Sequence, residues 1–158
     1  MRTFRIAFGT YGDSDRETLS GRSGYYADGR WHSKGRYLDY TAESRSLATL
    51  ERLVHYKRFD HLAPHFIYAI DIPNEHIDSA LAPPRGWDGP DILPDAQALG
   101  DAWCDQEKSC AFRVPSAVTP GEFNIMVNTR HPSWNWKWVG PRADFKFDYR
   151  IADLIKRG

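Results

Sequence analysis

Gly29-Arg30-Trp31-His32-Ser33-Lys34-Gly35 leads through Tyr40 into Leu47-Ala48-Thr49-Leu50-Glu51, and this stretch decides how the rest of the sequence is read. Between Gly29 and Glu51 it carries a guanidinium, a phenol and a carboxylate, a set that suits an anionic, sugar-containing ligand. With a helical period from Ser44 to Arg58, Leu47, Leu50 and Val54 form an apolar stripe, and Glu51 shares their face. An ionised carboxylate drawn into such a face is costly unless hydrogen bonds or an opposite charge offset the lost hydration. Two roles fit it: a salt bridge to Arg30, Arg36 or the i+4 neighbour His55, or a catalytic one.

Working outward, Phe4 to Phe8 is a first strand, and the glycine-punctuated run from Gly9 to Gly35 reads as a loop that sets Arg30 at a ligand mouth. Arg36 to Tyr40 is a second strand with Leu38 and Tyr40 on one face. A helix capped by Ser44 or Ser46 follows and ends near Arg58. Phe66 to Ile72 is a strand with Tyr68, Ile70 and Ile72 inward, and Ala82 to Pro94 is a surface connection. Asp95 to Trp103 is a short helix with Ala96, Leu99 and Trp103 on its inner side, interrupted at Gly100. Cys110 to Val114, Phe123 to Asn128 and Phe145 to Ile151 are the remaining strands, which leaves Ser116 at a strand end.

The 158 residues suit one domain with a real core, and 41% hydrophobic and 14% aromatic residues are ample for globular folding. Lysine plus arginine and aspartate plus glutamate both number 21, so no net field draws the chain to nucleic acid or anionic lipid. Met1-Arg2-Thr3-Phe4-Arg5 lacks an apolar signal core and no run is long enough to span a bilayer, so a cytoplasmic location is the default expectation, with no membrane partner. Cys104 and Cys110 match no CxxC or four-ligand zinc spacing and are expected to be reduced and packed. The six histidines form no HExxH motif, and no metal site is expected.

Arg30 is the best anion-binding candidate, because a planar guanidinium can hold a phosphate through two parallel hydrogen bonds; the bland alternative is a surface salt bridge. Trp31 is a core anchor or a stacking platform, and Tyr40 packs, stacks on a cationic ring or donates a hydrogen bond. Ser116 lies in Val114-Pro115-Ser116-Ala117, which is not GxSxG, so a turn or a ligand hydrogen bond suits it better than nucleophilic attack. Asn124 and Asn128 share one strand face and are structural or reach a ribose. Trp134-Asn135-Trp136-Lys137-Trp138 sets three indoles on one face of an extended segment, either a core-facing edge strand or a platform for a protein or sugar.

Taken together, Gly29-Arg30-Trp31, Tyr40, Leu47 to His55, Val114-Pro115-Ser116-Ala117-Val118 and Asn124-Ile125-Met126-Val127-Asn128-Thr129-Arg130-His131-Pro132 resemble the signature blocks of the RES-domain family, in order and at its spacing. The likeness runs from Phe4-Arg5 to Asp148-Tyr149-Arg150, and Arg30, Glu51 and Ser116 match the three residues that give the family its name. The resemblance implies a single α+β domain over residues 1–158, a mixed sheet with flanking helices similar to ADP-ribosyltransferases of the diphtheria-toxin type. It implies a toxin of a type II toxin-antitoxin pair, with an Xre-like antitoxin as partner and homodimerisation compatible with it. It implies NAD+ as substrate rather than resident cofactor, consumed by hydrolysis, phosphorolysis or ADP-ribose transfer to a protein acceptor. Glu51 would then hold the ribose hydroxyls and stabilise the oxocarbenium-like transition state, and Arg30 would clamp the pyrophosphate or its ribose. Tyr40 would pack on the nicotinamide, Ser116 would bond the nicotinamide-ribose end, and Arg5, Asn124 and Trp31 would line the substrate.

His32 stands where asparagine is common in that family, Asp39 interrupts a usually apolar strand, and Thr129 replaces a common proline, which bears on specificity rather than membership. A competing expectation is a non-catalytic binding module built on Trp134, Trp136 and Trp138. An RNA-cleaving toxin is disfavoured by the neutral charge and the lack of a basic stripe.

Overall fold

The computed structural model describes residues 1–8, 14–55, 64–79 and 82–151. The first strand, β1 (Arg2–Phe8), covers the strand expected over Phe4–Phe8, with Phe4 and Ile6 packed on one face of the sheet and Ala7 on the other. The expected loop from Gly9 to Gly35 instead holds, in its described part, α1 (Asp15–Thr18), α2 (Arg22–Tyr26) and a turn closed by a bridge between Gly29 and His32. Helices of four and five residues are not stable by propensity alone. Tertiary contacts fix them: Leu19 is fully buried after α1, and Gly21 before α2 has φ +73°, where a Cβ would strike the Tyr37 backbone.

Strand β2 (Asp39–Ala42) starts later than the expected strand over Arg36–Tyr40. The preceding residues are tied elsewhere, Arg36 to Asp105 and Asp101, Tyr37 stacked on Tyr25, and Leu38 N donating to Gly21 O. Helix α3 (Arg45–Val54) is capped by Ser44, whose Oγ accepts from Leu47 N at 3.0 Å and donates to Glu122 Oε2 at 2.9 Å. His55 is its C-cap, and the expected continuation to Arg58 lies outside the described residues. The apolar stripe is rotated from the one expected. Leu47 and Ala48 are buried against Ile6, Ala42 and Ile67, while Leu50 and Val54 are 42% and 59% exposed. Residues 47, 48 and 51 lie within about 100° of arc on a helix, so this rotation turns Glu51 inward and leaves Leu50 and Val54 on the flank.

Strand β3 (His65–Asp71) pairs antiparallel with β1 from Arg2↔Asp71 to Phe8↔His65, with Tyr68, Ile70 and the following Ile72 buried as expected. A 3-10 turn over Asn74–His76 leads to β4 (Ile77–Ser79). The described part of the next connection runs through turns to α4 (Pro94–Gln106), which has proline in its first turn and buries Ala96 and Trp103 as expected. Gly100 does not interrupt it: a Cβ there would stand 1.7 Å from Trp31 O, so the glycine admits a backbone rather than breaking the helix. Strands β5 (Ala111–Pro115) and β6 (Phe123–Val127) fall where expected. The last strand, β7 (Ala143–Phe145), precedes the expected Phe145–Ile151 run, because Asp148 accepts from Arg150 N at 2.9 Å and starts a helical turn there.

Among the described residues the strands form one sheet in the order β4-β5-β6-β2-β1-β3-β7, with β4 and β5 parallel and the other pairs antiparallel. Helices α3 and α4 cover one face, where Leu47 and Ala48 meet Ile6 and Ala42, and Ala96 and Trp103 meet Phe112, Val114 and Met126. On the opposite face Leu19 and Trp134 close over Tyr68, Ile70, Ile125 and Val127. The Trp134–Trp138 segment is not an extended platform: Trp136–Trp138 is a 3-10 turn, and its indoles pack edge-on against Trp134 and the core. The fold is thus α+β, a mixed sheet with flanking helices, and no described helix is long and apolar enough to cross a membrane. Cys104 and Cys110 are free thiols, Cys110 buried.

Candidate functional site

The α3-α4 face of the sheet carries the polar groups that its apolar packing does not explain. Residues 40 and 42 of β2, 124 and 126 of β6, and 112 and 114 of β5 point to it, as the register pairs Tyr40↔Met126, Ala42↔Asn124 and Val114↔Asn124 require. Glu51 reaches this floor from α3. Its Oε1 accepts from Ser116 Oγ at 2.7 Å and from Asn124 Nδ2, while Oε2 takes no hydrogen bond among the described residues. Neither Arg30, Arg36 nor His55 pairs with it, so the salt-bridge reading of this acid does not hold.

Ser116 is 3% exposed and has no hydrogen-bonding capacity left. Its hydroxyl gives its proton to Glu51 and accepts from Val118 N and Thr119 N, both at 3.1 Å, in a turn that follows β5. The expected bond from Ser116 to a substrate would require one of these to break. Asn124 donates to the same carboxylate oxygen, whereas Asn128 accepts from Arg130 N at 3.0 Å in the turn after β6, so the two asparagines do not act together.

Tyr40 stands on the same face, two residues from Ala42 along β2, and its hydroxyl is bonded to His32 Nδ1 at 2.8 Å. Burial drives the phenol's pKa well above its ordinary value, and the nearby Cys104, Glu51 and Asp101 add to the rise, so Tyr40 stays neutral. Burial pushes His32 down, opposed chiefly by the Gly24 backbone, which favours a neutral imidazole in the interior.

Arg30 and Trp31 occupy the tip of the Gly29–His32 turn. Helix α4 holds this turn along one face: Gln97 Nε2 donates to Gly29 O and His32 O, both at 3.1 Å, Asp101 Oδ1 accepts from Ser33 N at 3.0 Å, and Gly100 lets Trp31 O approach. Arg30 Nη1 donates to the carbonyls of Trp87 and Gly89, the latter at 3.0 Å, while its other guanidinium nitrogens take no partner among the described residues. One edge of the guanidinium is therefore anchored and the other is open. Trp31 is a core residue, 2% exposed and 5.0 Å from the Trp87 ring. Arg5 stands at a strand position on the opposite side of the sheet, paired at 2.7 Å with buried Asp39.

Glu51, Ser116 and Asn124 thus form one cluster and Tyr40 with His32 a second on the same sheet face. No hydrogen bond or ion pair joins Arg30 to Glu51. Trp87, Gln97 and Asp101 belong to this architecture and were not singled out from the sequence, and His32 stood out there only as a departure from the family's pattern. A signal existed in Gln97, Gly100 and Asp101, whose i, i+3, i+4 spacing puts two polar groups and a glycine on one stripe of α4.

The family model described as the RES domain matches residues 2–148. The chain is 32% identical over 160 residues to Toxin Res of Photorhabdus laumondii subsp. laumondii, across 99% of this chain and all of that one. It is 33% identical over 156 residues to Toxin Res of Yersinia enterocolitica, across 96% and 99% of the two chains. It is 30% identical over 123 residues to the Prs ADP-ribosylating toxin of Sphingobium sp. (strain YBL2), across 75% of this chain and 76% of that one. Among solved structures, the M. tuberculosis MbcT-MbcA toxin-antitoxin complex matches with a TM-score of 0.69 over 99% of this chain and 87% of the other, at 15% identity, a likeness of fold alone.

Proposed function

The chain belongs to the RES-domain family, and from that premise we propose that it is the toxin of a toxin-antitoxin pair and an enzyme that breaks the nicotinamide-ribose bond of NAD+. The observation that carries this reading is the state of Glu51: one carboxylate oxygen is clamped by Ser116 and Asn124, and the other, on the same sheet face as Tyr40, takes no hydrogen bond among the described residues. Loss of nicotinamide leaves positive charge on the ribose, and a fixed carboxylate oxygen stabilises that charge more in the transition state than in the ground state. A carboxylate held by two neutral donors needs no rearrangement when the charge develops.

In this scheme Glu51 Oε2 receives the ribose hydroxyls and faces the developing oxocarbenium ion. Ser116 and Asn124 act through Glu51 by fixing its rotamer. The ring of Tyr40 packs on the nicotinamide, a cationic ring while NAD+ is intact. The open edge of Arg30 binds the pyrophosphate, its other edge being fixed by the loop carbonyls at Trp87 and Gly89. An ADP-ribosyltransferase-like relationship of the fold, a single RES domain over residues 1–158, and an Xre-like antitoxin as inhibitor belong to the same proposal. The competing module built on the three indoles gains no support, since Trp134 is 9% exposed and Trp136 and Trp138 pack on it.

Product analysis tests the reading. Purified protein incubated with NAD+ should release nicotinamide together with ADP-ribose, ADP-ribose 1''-phosphate when phosphate is present, or an ADP-ribosylated protein when an acceptor is supplied. Intact NAD+ under all three conditions overturns it.

A further inference from the structure

We infer that His32 is a positioning residue that anchors the Tyr40 hydroxyl inside the fold and so fixes the phenol ring as a rigid wall beside Glu51. The inference rests on the NAD+ reading above and deepens it by assigning what holds the nicotinamide-facing ring in place.

The imidazole occupies a seat built to its shape. A Cβ on Gly29 would stand 2.4 Å from His32 Nδ1 and 2.8 Å from Tyr40 Oη, and a Cβ on Gly24 would stand 2.9 Å from His32 Nε2. Two glycines therefore flank the ring, one at each nitrogen. The backbone of the seat is fixed as well: Gly29 N donates to His32 O at 2.9 Å, and Gln97 bonds the carbonyls of both residues. His32 is 2% exposed, and a residue that only filled this space would be better apolar, since a buried imidazole must recover its lost hydration by hydrogen bonding. Its Nδ1 meets that need at Tyr40, at 2.8 Å with the rings 5.5 Å apart, while the buried Nε2 takes no hydrogen bond among the described residues. The phenol oxygen is thereby turned into the protein, and Tyr40 offers a ligand its ring rather than its hydroxyl. Because β2 carries Tyr40 and, two residues on, the Ala42 that pairs with Asn124, the same strand sets this ring on the sheet face that holds the Glu51 cluster.

The test compares NAD+ kinetics of wild type, His32→Leu, His32→Asn, Tyr40→Phe and the His32→Leu/Tyr40→Phe double variant, at a temperature where circular dichroism shows all of them fully folded. His32→Leu should raise KM for NAD+ about fivefold, the scale of one neutral hydrogen bond, with kcat little changed. Tyr40→Phe should match it, the double variant should be no worse than either, and His32→Asn, whose amide reaches the Nδ1 position, should recover most of the loss. Labelled-tyrosine NMR supplies a readout that needs no substrate: Tyr40 ring flips slow in wild type and in His32→Asn, fast in His32→Leu. Unchanged flips in His32→Leu overturn the anchor whatever the wild type does with NAD+. Faster flips with an unchanged KM in an active enzyme reduce His32 to packing and overturn its positioning role. A wild type that leaves NAD+ intact defeats the NAD+ reading instead, and the ring flips still decide the anchor.

Discussion

Ser116 Oγ donates to Glu51 Oε1 across 2.7 Å while two backbone N–H groups, those of Val118 and Thr119, donate to Ser116. The turn after β5 is thus wired through one hydroxyl to the carboxylate of α3, and the serine spends its whole hydrogen-bonding capacity on holding the acid. Ser116→Ala should lower kcat for NAD+ by about 10- to 100-fold, the scale of a slightly misplaced catalytic group, and change KM far less. Steady-state kinetics check it; a large rise in KM with kcat preserved would mean that the serine binds substrate directly.

The turn bearing Arg30 depends on a glycine in the helix that supports it. A Cβ at position 100 would overlap Trp31 O at 1.7 Å, so Gly100→Ala must push α4 away from the turn despite alanine's better helix propensity. The expected cost is about 3 kcal/mol, at the upper end for overpacking. Urea unfolding measures it, and a variant as stable as wild type would show that helix and turn separate without penalty.

Acid should weaken the same region through His32. Its folded pKa is depressed, with burial the leading cause, so the unfolded chain binds the proton more readily. The stability due to a neutral His32 is therefore complete above the unfolded value of about 6.5 and is lost as pH falls through the folded one. Urea midpoints compared between pH 8 and pH 5 should fall more in wild type than in His32→Asn. An equal fall in both would place the acid sensitivity elsewhere.

Burial also pushes the Cys104 thiol up to about 11, with Asp101 and Asp105 adding to the effect and Arg36 opposing it. Only the thiolate is alkylated at an appreciable rate. Native protein at pH 8 should therefore react with iodoacetamide at Cys104 far more slowly than urea-unfolded protein, read by peptide mass spectrometry. Comparable rates would show an accessible, unperturbed thiol.

Much of the sheet was legible as short apolar runs bounded by turn residues, and Phe123–Val127 and Ala111–Pro115 fall within a residue of where those runs put them. Glu51 was legible as an inward-facing acid because helical period ties it to Leu47, although the stripe it shares proved to be Leu47 and Ala48 rather than Leu50 and Val54. How far a helix rotates on its sheet is decided by the partner surface, here Ile6, Ala42 and Ile67, which the helix sequence does not encode. The short helices α1 and α2 were read as loop because four or five residues carry no period, and their caps and the burial of Leu19 define them only in three dimensions. Gly100 read as a break for the same reason, since its use is a contact with Trp31 from far along the chain. Arg30, Tyr40, Ser116 and Asn124 were picked out by residue type and resemblance. That Ser116 and Asn124 converge on one oxygen of Glu51, that Arg5 lies on the other side of the sheet and that Trp31 is buried depends on register and turn geometry.

The central claim is that the free oxygen of Glu51 stabilises charge on the ribose of NAD+, and the most direct measurement is the rate of nicotinamide release by wild type and Glu51→Gln. Glutamine keeps the shape and an oxygen for Ser116 and Asn124 to bond, but removes the charge. The account predicts release by wild type and a rate at least about 100-fold lower in the variant, the scale of losing one electrostatic stabiliser, with both proteins unfolding at similar urea concentrations. Equal rates in the two proteins would contradict it.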